Sequence, residues 1–123
     1  MTWHMIRLDL ARSPAHPDGS QEHCYLLRLP LDEGGLVDAT ALAADPERAT
    51  VLRSRPDEAD CKGFVGRGAN GWVISYQPGE GEDEAFFRLE SHPLRAGDYL
   101  TISDQAGKAQ CFEVAFARVL AEP

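Results

Sequence analysis

The sequence predicts a mostly β fold, a small antiparallel β-barrel of about seven strands with one short connecting helix. Segments that alternate apolar and polar residues with a period of two recur along most of the chain. Turn-forming residues separate these segments at short intervals, and one alanine-rich stretch breaks the alternation. A β-sandwich is the alternative. We favour the barrel because closure removes the exposed edges that many short strands would leave.

The first two predicted strands, residues 4–10 and 22–29, each carry an apolar face. These apolar positions are Ile6, Leu8, Leu10, Tyr25, Leu27 and Leu29. The second strand is also apolar on its other face, at Cys24 and Leu26, so we expect that side to be covered as well. The cover is either a dimer contact or the predicted helix. A long loop over residues 13–21 joins the two strands.

The predicted helical segment lies in residues 37–48, which are rich in alanine. Asp38 can cap a first turn, and Asp45 followed by Pro46 is typical of an N-cap with proline at the first helical position. We expect one or two helical turns that connect strands or cover one end of the barrel. A weaker strand candidate follows at residues 49–54.

A β-hairpin is the clearest local signal in the middle of the chain. Asn70 and Gly71 can adopt the positive φ angles of a type I′ turn. The residues that follow alternate, with large side chains at Trp72, Ile74 and Tyr76. The preceding strand candidate, residues 61–67, contains two glycines, which indicate a bulge or a close approach of the backbone.

Three further strands are predicted after an acidic loop at residues 80–84. They cover residues 85–90, 98–103 and 110–119. Their apolar faces consist of Phe87 and Leu89, then Leu100 and Ile102, and finally Phe112, Val114 and Phe116. These strands complete the all-β pattern.

Composition narrows the possible partners. The 123 residues fit one domain, spanning residues 1–123, and 12 basic against 20 acidic residues give a formal net charge of −8. So acidic a surface disfavours nucleic acid and membranes as partners. The N-terminal residues lack the apolar segment of a signal peptide, so we expect a cytoplasmic location. The basic residues Arg48, Arg53, Arg55 and Lys62 are interrupted by acidic ones and are interpreted as a solvated mixed surface.

The stretch HPLRAGDY, residues 92–99, contains the strongest catalytic candidates. If the preceding strand continues, Arg88 and Glu90 project from one face together with His92. Glu90 could then orient His92 as a general base, while Arg88 or Arg95 anchors an anionic substrate. No pattern of a nucleophile accompanies this histidine.

The same stretch is also typical of a structural corner, which is the interpretation that we favour. Pro93 requires an extended residue before it and so ends the strand. Gly97 can adopt a positive φ angle, and Asp98 can accept a hydrogen bond from a turn amide. Leu94 would then fill the core beneath the corner.

Metal binding is not favoured by the spacing of its possible ligands, which are His4, His23, Cys24, Cys61, His92 and Cys111. No short-spaced pair of ligands is present, and the neighbours His23 and Cys24 would point to opposite faces of a strand. The acidic residues 80–84 lack the register of a calcium loop and are interpreted as a solvated hairpin tip. We therefore expect no metal site and no cofactor.

Aromatic side chains offer a possible ligand platform. Trp72 and Tyr76 share one face of a strand and could line a barrel mouth, where they would stack on a ligand that Arg88 or Arg95 also contacts. Such residues also commonly belong to the core. Trp3, close to the N-terminus, is expected to plug one end of the barrel.

The segments GWVISYQPG and FFRLESHPLRAGDYLTI resemble a family of small, uncharacterised bacterial proteins. The resemblance covers most of the chain and rests on the tryptophan strand, the acidic loop and the corner at residues 92–99. It implies a similar fold. It implies no activity and no catalytic residue, because no activity is assigned to that family.

These observations favour a non-catalytic binding module for a small ligand or a protein partner, with a homodimer also possible. One alternative is a small hydrolase or isomerase that uses the pair of His92 and Glu90. Another is a protein that binds a metal ion through cysteine and histidine.

Overall fold

The computed structural model describes residues 1–68, 71–76, 83–104 and 106–120. It is a closed barrel of antiparallel strands, each paired with its neighbours in chain order, and the last strand pairs with the first. The strands are β1 (Thr2–Leu10), β2 (Ser20–Leu31), β3 (Thr50–Ser54), β4 (Cys61–Gly68), β5 (Gly71–Tyr76), β6 (Glu84–Phe86), β7 (Tyr99–Ser103) and β8 (Ala109–Val119). The predicted barrel is thus confirmed against the sandwich, with eight strands in place of about seven.

The connection between β2 and β3 contains the one α-helix in the described part of the chain, α1 (Ala39–Ala44). As predicted, the Asp38 side chain caps it by accepting a hydrogen bond from the amide of Ala41, at 3.0 Å. A 3₁₀ turn, Pro46–Arg48, leads into β3. None of the helices in the described part of the chain has the length and hydrophobicity of a membrane-spanning helix.

The barrel interior is filled by side chains that alternate along the strands and by Leu89 and Leu94, which lie between β6 and β7. The largest fully buried side chains are Ile6, Leu8, Tyr25, Leu27, Leu29, Val65, Ile74, Leu89, Leu94, Leu100, Phe112 and Val114. In β1 and β2 these residues face one another in register, because Ile6 lies opposite Leu27 and Leu8 lies opposite Tyr25. Period-two alternation therefore places the core on the inner wall, as the sequence indicated.

Trp3 does not plug an end of the barrel. By alternation it points outward from β1, opposite Pro30, yet only 3% of it is exposed. The guanidinium of Arg48, in the connection after α1, lies 4.7 Å from the centroid of the Trp3 ring. The helical connection therefore lies against the outer wall beside Trp3, and it does not cover the outward-facing Leu26, which remains half-buried.

The sixth strand is shorter than predicted, and the prediction for its apolar face is wrong. It ends at Phe86, and Arg88 adopts a left-handed conformation with a φ angle of 53°. The next residues, Leu89–Ser91, form a 3₁₀ turn. As a result Phe86 faces the core, while Phe87 is 54% exposed. Alternation does not reveal such a left-handed residue, since arginine rarely adopts that conformation.

The last strand also departs from simple alternation. Arg7 pairs with Phe116, but the next residue, Leu8, pairs with Val114, so Ala115 is an extra residue in β8. This bulge turns Phe116 away from the inner face that Val114 occupies. The guanidinium of Arg118 lies over the Phe116 ring, 4.0 Å from the ring centroid.

Gly63 marks the close backbone approach that the two glycines of β4 predicted. A Cβ atom at Gly63 would lie 2.4 Å from the carbonyl oxygen of Ser75 on β5. A Cβ atom at Gly66 would meet nothing within 4 Å. The hairpin of β4 and β5 is confirmed by the pairing of Gly68 with Gly71, while Asn70 lies outside the described residues.

Candidate functional site

A buried polar cluster occupies the end of the barrel where β1, β3 and β5 finish. We call it the Glu84 cluster, and its members are His23, Tyr25, Arg53, Arg55, Tyr76 and Glu84. Alternation brings these side chains inward, since Arg53 follows Val51 by two residues and Glu84 precedes Phe86 by two. Glu84 is 3% exposed, so its carboxylate needs partners inside the protein.

Two tyrosines donate hydrogen bonds to the Glu84 carboxylate. The hydroxyl of Tyr25 lies 3.0 Å from both carboxylate oxygens, and the hydroxyl of Tyr76 donates to Oε1. Tyr25 is 1% exposed and Tyr76 is 6% exposed. Both phenols are therefore held inside the barrel by an acceptor that is itself buried.

Two arginines form ion pairs with the Glu84 carboxylate. Arg55 Nη2 lies 3.1 Å from Oε2, and Arg53 Nη1 lies 3.6 Å from Oε1. The Arg53 guanidinium also stacks on the ring of Tyr76, 4.5 Å from its centroid, and donates to the sulfur of Cys61. Glu84 is thus a hydrogen-bonded, charge-paired carboxylate.

The surroundings hold Tyr25, Tyr76 and His23 in their neutral forms. Burial, followed by the neighbouring Glu84 carboxylate, raises the pKa of Tyr25 well above its ordinary value. The pKa of Tyr76 is raised as well, first by burial and then by Tyr25 and Glu84. Burial and the nearby Arg55 lower the pKa of His23 to about 4. At neutral pH both phenols stay protonated and His23 is uncharged.

The hydrogen bond between Arg55 and His23 fixes the tautomer of this histidine. Arg55 Nε donates to His23 Nε2 over 3.3 Å, so Nε2 carries no proton and Nδ1 is the protonated nitrogen. The ring of His23 also contacts Phe112 edge to face, with centroids 5.3 Å apart. These contacts hold the histidine in one orientation at the rim of the cluster.

Sequence reasoning missed the Glu84 cluster. It interpreted Arg53 and Arg55 as part of a solvated surface and Glu84 as part of a hairpin tip, whereas Arg53 is only 5% exposed and Glu84 opens a strand. Arg53 lies two residues after the apolar Val51, so strand alternation predicts that both side chains face the same side, which is the interior. The pairing of Tyr25 with Glu84, 59 residues apart, depends on the closed barrel.

The predicted aromatic platform is not open to a ligand. Trp72 is 3% exposed and points into the barrel, with the guanidinium of Arg67 at 4.8 Å from its ring centroid. Its indole Nε1 is buried without a hydrogen-bond partner among the described residues. Tyr76, on the same face, is committed to Glu84. Both residues belong to the core.

The corner at residues 92–99 lies at the opposite end of the barrel from Glu84. Asp98 accepts a hydrogen bond from the amide of Arg95 at 3.1 Å, and Gly97 has a φ angle of 91°. Leu94 is fully buried beneath the turn. The structure therefore shows the corner geometry that the sequence indicated.

The proposed pairing of Glu90 with His92 does not form among the described residues. His92 Nδ1 instead lies 2.7 Å from the carbonyl oxygen of Arg88, to which it donates. Arg88 lies over Phe87, with its guanidinium 5.1 Å from the ring centroid, and Arg95 Nη2 donates to the carbonyl of Gly34. The 3₁₀ turn removes the shared strand face that the catalytic hypothesis required.

The possible metal ligands are also not brought together. Within residues 1–68, 71–76, 83–104 and 106–120, no group of three or more histidine, cysteine or acidic side chains could hold a metal ion. The cysteines are free, with Cys24 buried and Cys111 exposed. Of the acidic loop, residues 80–82 lie outside the described part of the chain.

An open groove lies on the outer wall of β1 to β4. It has a volume of about 470 Å³ and is lined by Met5, Leu26, Arg28, Thr50, Val51, Leu52, Lys62, Gly63 and Phe64. We call it the outer groove. Its volume falls within the range of ligand pockets, roughly 300–1,000 Å³.

Strand register explains why apolar side chains meet in the outer groove. Leu26 of β2 lies opposite Leu52 of β3, which in turn lies opposite Lys62 of β4. Two residues away on each strand, Thr50 of β3 lies opposite Phe64 of β4. These residues all have outward parity, so two rows of side chains cross the wall side by side.

The chain matches no family model, no curated protein and no solved structure.

Proposed function

We propose that the protein is a non-catalytic binding module whose outer groove holds a small amphipathic carboxylate, such as an alkyl carboxylate. One observation carries this proposal. The barrel interior is filled and Glu84 has its partners, whereas the outer groove is open, apolar at its centre and flanked by cations. The proposed ligand has the same two parts, an apolar body and one negative charge.

Leu26, Leu52 and Phe64 supply the apolar surface of the outer groove. Each is half-buried on the outer wall. A methylene group that becomes fully buried contributes about 0.8 kcal/mol. Because the groove is open on one side, we expect about half of that, or roughly a twofold gain in affinity per methylene.

Arg28 and Lys62 supply positive charge to the outer groove. Of the described residues that line the groove, only these two are charged, and neither forms an ion pair with another described residue. This local surplus of positive charge contrasts with a chain of net charge −8. A carboxylate is therefore attracted to this part of the surface and repelled by most of the rest.

The lining also supports a binding role without catalysis. In the part of the lining that the structure describes, the only hydroxyl is that of Thr50, and no histidine, cysteine, aspartate or glutamate is present to act as a general base. A second copy of the chain is a poorer occupant, because two molecules of charge −8 repel each other. We further propose a cytoplasmic location, which the free cysteines support.

Titration with hexanoate, octanoate and decanoate, followed by calorimetry, tests this function. We expect saturable binding whose affinity increases about twofold with each added methylene. The variant Lys62→Glu reverses one of the two charges, and we expect it to weaken octanoate binding at least tenfold. Octanol, which has no charge, is expected to bind more weakly than octanoate to the unmodified protein.

Arg12→Glu is the matched control, because it makes the same charge change at an exposed residue outside the outer groove. We expect this variant to bind octanoate within twofold of the original protein. Absence of saturable binding, or equal losses in both variants, would contradict the proposal. So would a concentration-dependent dimer in sedimentation that octanoate does not dissociate, since a second copy would then occupy the groove.

A further inference from the structure

We infer that Phe64 limits the length of the chain that the outer groove accepts, because a second cavity lies directly beyond its ring. This inference rests on the proposed function, the binding of an alkyl carboxylate in the outer groove. The ligand class that follows is a medium-chain monocarboxylate whose apolar end stops against Phe64. A longer chain has to cross the ring before it gains further contact with the protein.

The second cavity is open, has a volume of about 540 Å³ and is lined by Pro46, Glu47, Phe64 and Val65. Phe64 also lines the outer groove, so one side chain borders both spaces. The second cavity falls within the size range of ligand pockets, roughly 300–1,000 Å³. Space is therefore available to a chain that passes Phe64.

The order of residues along β4 places Phe64 between the two spaces. Gly63, which precedes it, lines the outer groove, whereas Val65, which follows it, lines the second cavity. The antiparallel strand β3 shows the matching order. Its residues 50–52 line the outer groove, and the 3₁₀ turn before it, Pro46–Arg48, contributes to the second cavity.

Backbone hydrogen bonds hold this arrangement in place. Thr50 lies opposite Phe64 in the ladder of β3 and β4. One residue beyond Phe64, the amide of Val65 donates to the carbonyl oxygen of Ala49 at 2.9 Å, and the amide of Ala49 donates to that of Pro46 at 3.3 Å. Phe64 has outward parity and is half-buried, so its ring stands on the outer wall between the two spaces.

Charge fixes the direction in which the ligand lies. Arg28 and Lys62 line the outer groove, whereas Glu47 alone is charged among the described residues that line the second cavity. A carboxylate head is attracted to the first space and repelled by the second. The apolar tail is therefore the end that meets Phe64. A second carboxylate at the far end of a longer ligand would approach Glu47, so the second cavity disfavours dicarboxylates.

Calorimetric titration with decanoate and tetradecanoate, below the concentrations at which they form micelles, tests this inference. With the unmodified protein we expect tetradecanoate to bind within twofold of decanoate, because its extra methylenes stay in water beyond Phe64. Phe64→Ala removes the ring, and we expect it to bind tetradecanoate at least fourfold more tightly than decanoate. Phe64→Leu, a milder change, is expected to shift the ratio in the same direction and replaces Phe64→Ala if that variant does not fold.

Leu52→Ala is the matched control, because Leu52 lines the outer groove but not the second cavity. It loses apolar contact with both acids, so we expect both to bind more weakly, with the ratio of their affinities within twofold of that of the unmodified protein.

Tetradecanedioate reports whether the far end of the chain reaches the second cavity. We expect Glu47→Gln, added to Phe64→Ala, to raise the affinity for tetradecanedioate at least threefold, because it removes the repulsion of the second carboxylate. Its effect on tetradecanoate, which has only one carboxylate, is expected to stay below twofold.

A ratio of tetradecanoate to decanoate affinity that is unchanged in a folded Phe64 variant would overturn the inference and leave the proposed function in place. So would a steady gain from decanoate to tetradecanoate in the unmodified protein, or an unaltered affinity for tetradecanedioate after Glu47→Gln. Absence of saturable decanoate binding to the unmodified protein would contradict the proposed function and the inference together.

Discussion

Replacing Glu84 with glutamine is expected to lower the free energy of unfolding by about 3–5 kcal/mol, because it removes the only described carboxylate that faces Arg53, Arg55 and the two phenols. Glutamine has almost the same shape, so the loss is electrostatic and not a loss of volume. Its amide NH₂ would also face groups that can only donate, or that donate in this cluster. The measurement is chemical denaturation followed by tryptophan fluorescence.

Glu90→Gln is the matched control for this prediction. Glu90 is an exposed glutamate in the 3₁₀ turn, and the described residues form no ion pair with it. We expect its replacement to change the unfolding free energy by less than about 0.5 kcal/mol. If the unfolding free energies of the two variants differ by less than about 1 kcal/mol, the ion pairs and hydrogen bonds of the Glu84 carboxylate do not stabilise the barrel.

Replacing Gly63 with alanine is expected to lower the unfolding free energy by about 2–3 kcal/mol through steric overlap. The new methyl group would lie 2.4 Å from the carbonyl oxygen of Ser75 and 3.1 Å from Cα of Tyr76. Both atoms belong to the backbone of β5, so no side chain can rotate away. Relief requires β4 and β5 to separate, which weakens the pairing of Gly63 with Tyr76. The measurement is again chemical denaturation.

Gly66→Ala provides the comparison within the same strand. A Cβ atom at this position meets nothing within 4 Å, and the φ angle of Gly66 lies outside the left-handed range. Alanine there restricts the unfolded chain without a clash, so we expect stability to be unchanged or increased by up to about 1 kcal/mol. Equal destabilisation by the two substitutions would show that glycine is needed for strand flexibility and not for close packing.

Much of the fold could be predicted because alternation decides which side of a strand each residue faces. Ile6, Leu8 and Leu27 follow that rule, and so do Trp72 and Ile74 within the hairpin. The rule fails where the backbone leaves the regular strand geometry. Arg88 adopts a left-handed conformation and Ala115 forms a bulge. Neither arginine nor alanine is typical of such positions, so the sequence does not predict them.

The candidate sites could not be predicted because they depend on which strands become neighbours. Glu84 meets Tyr25 across the interior, 59 positions away in the chain. Leu26 and Leu52 meet on the outer wall only because β2 pairs with β3 in one particular register. The sequence did indicate that the second strand is apolar on both faces. The structure shows that its outer face contributes Leu26 to an open groove.

The leucine methyl groups report whether the ligand binds on the outer wall of the barrel or inside it. Leu26 and Leu52 line the outer groove, whereas Leu27 and Leu29 are fully buried inside the barrel. In ¹³C-methyl NMR spectra recorded during titration with octanoate, we predict saturable shifts for Leu26 and Leu52 and much smaller ones for Leu27 and Leu29. Larger shifts at Leu27 and Leu29 would contradict the account, because they would place the ligand within the barrel.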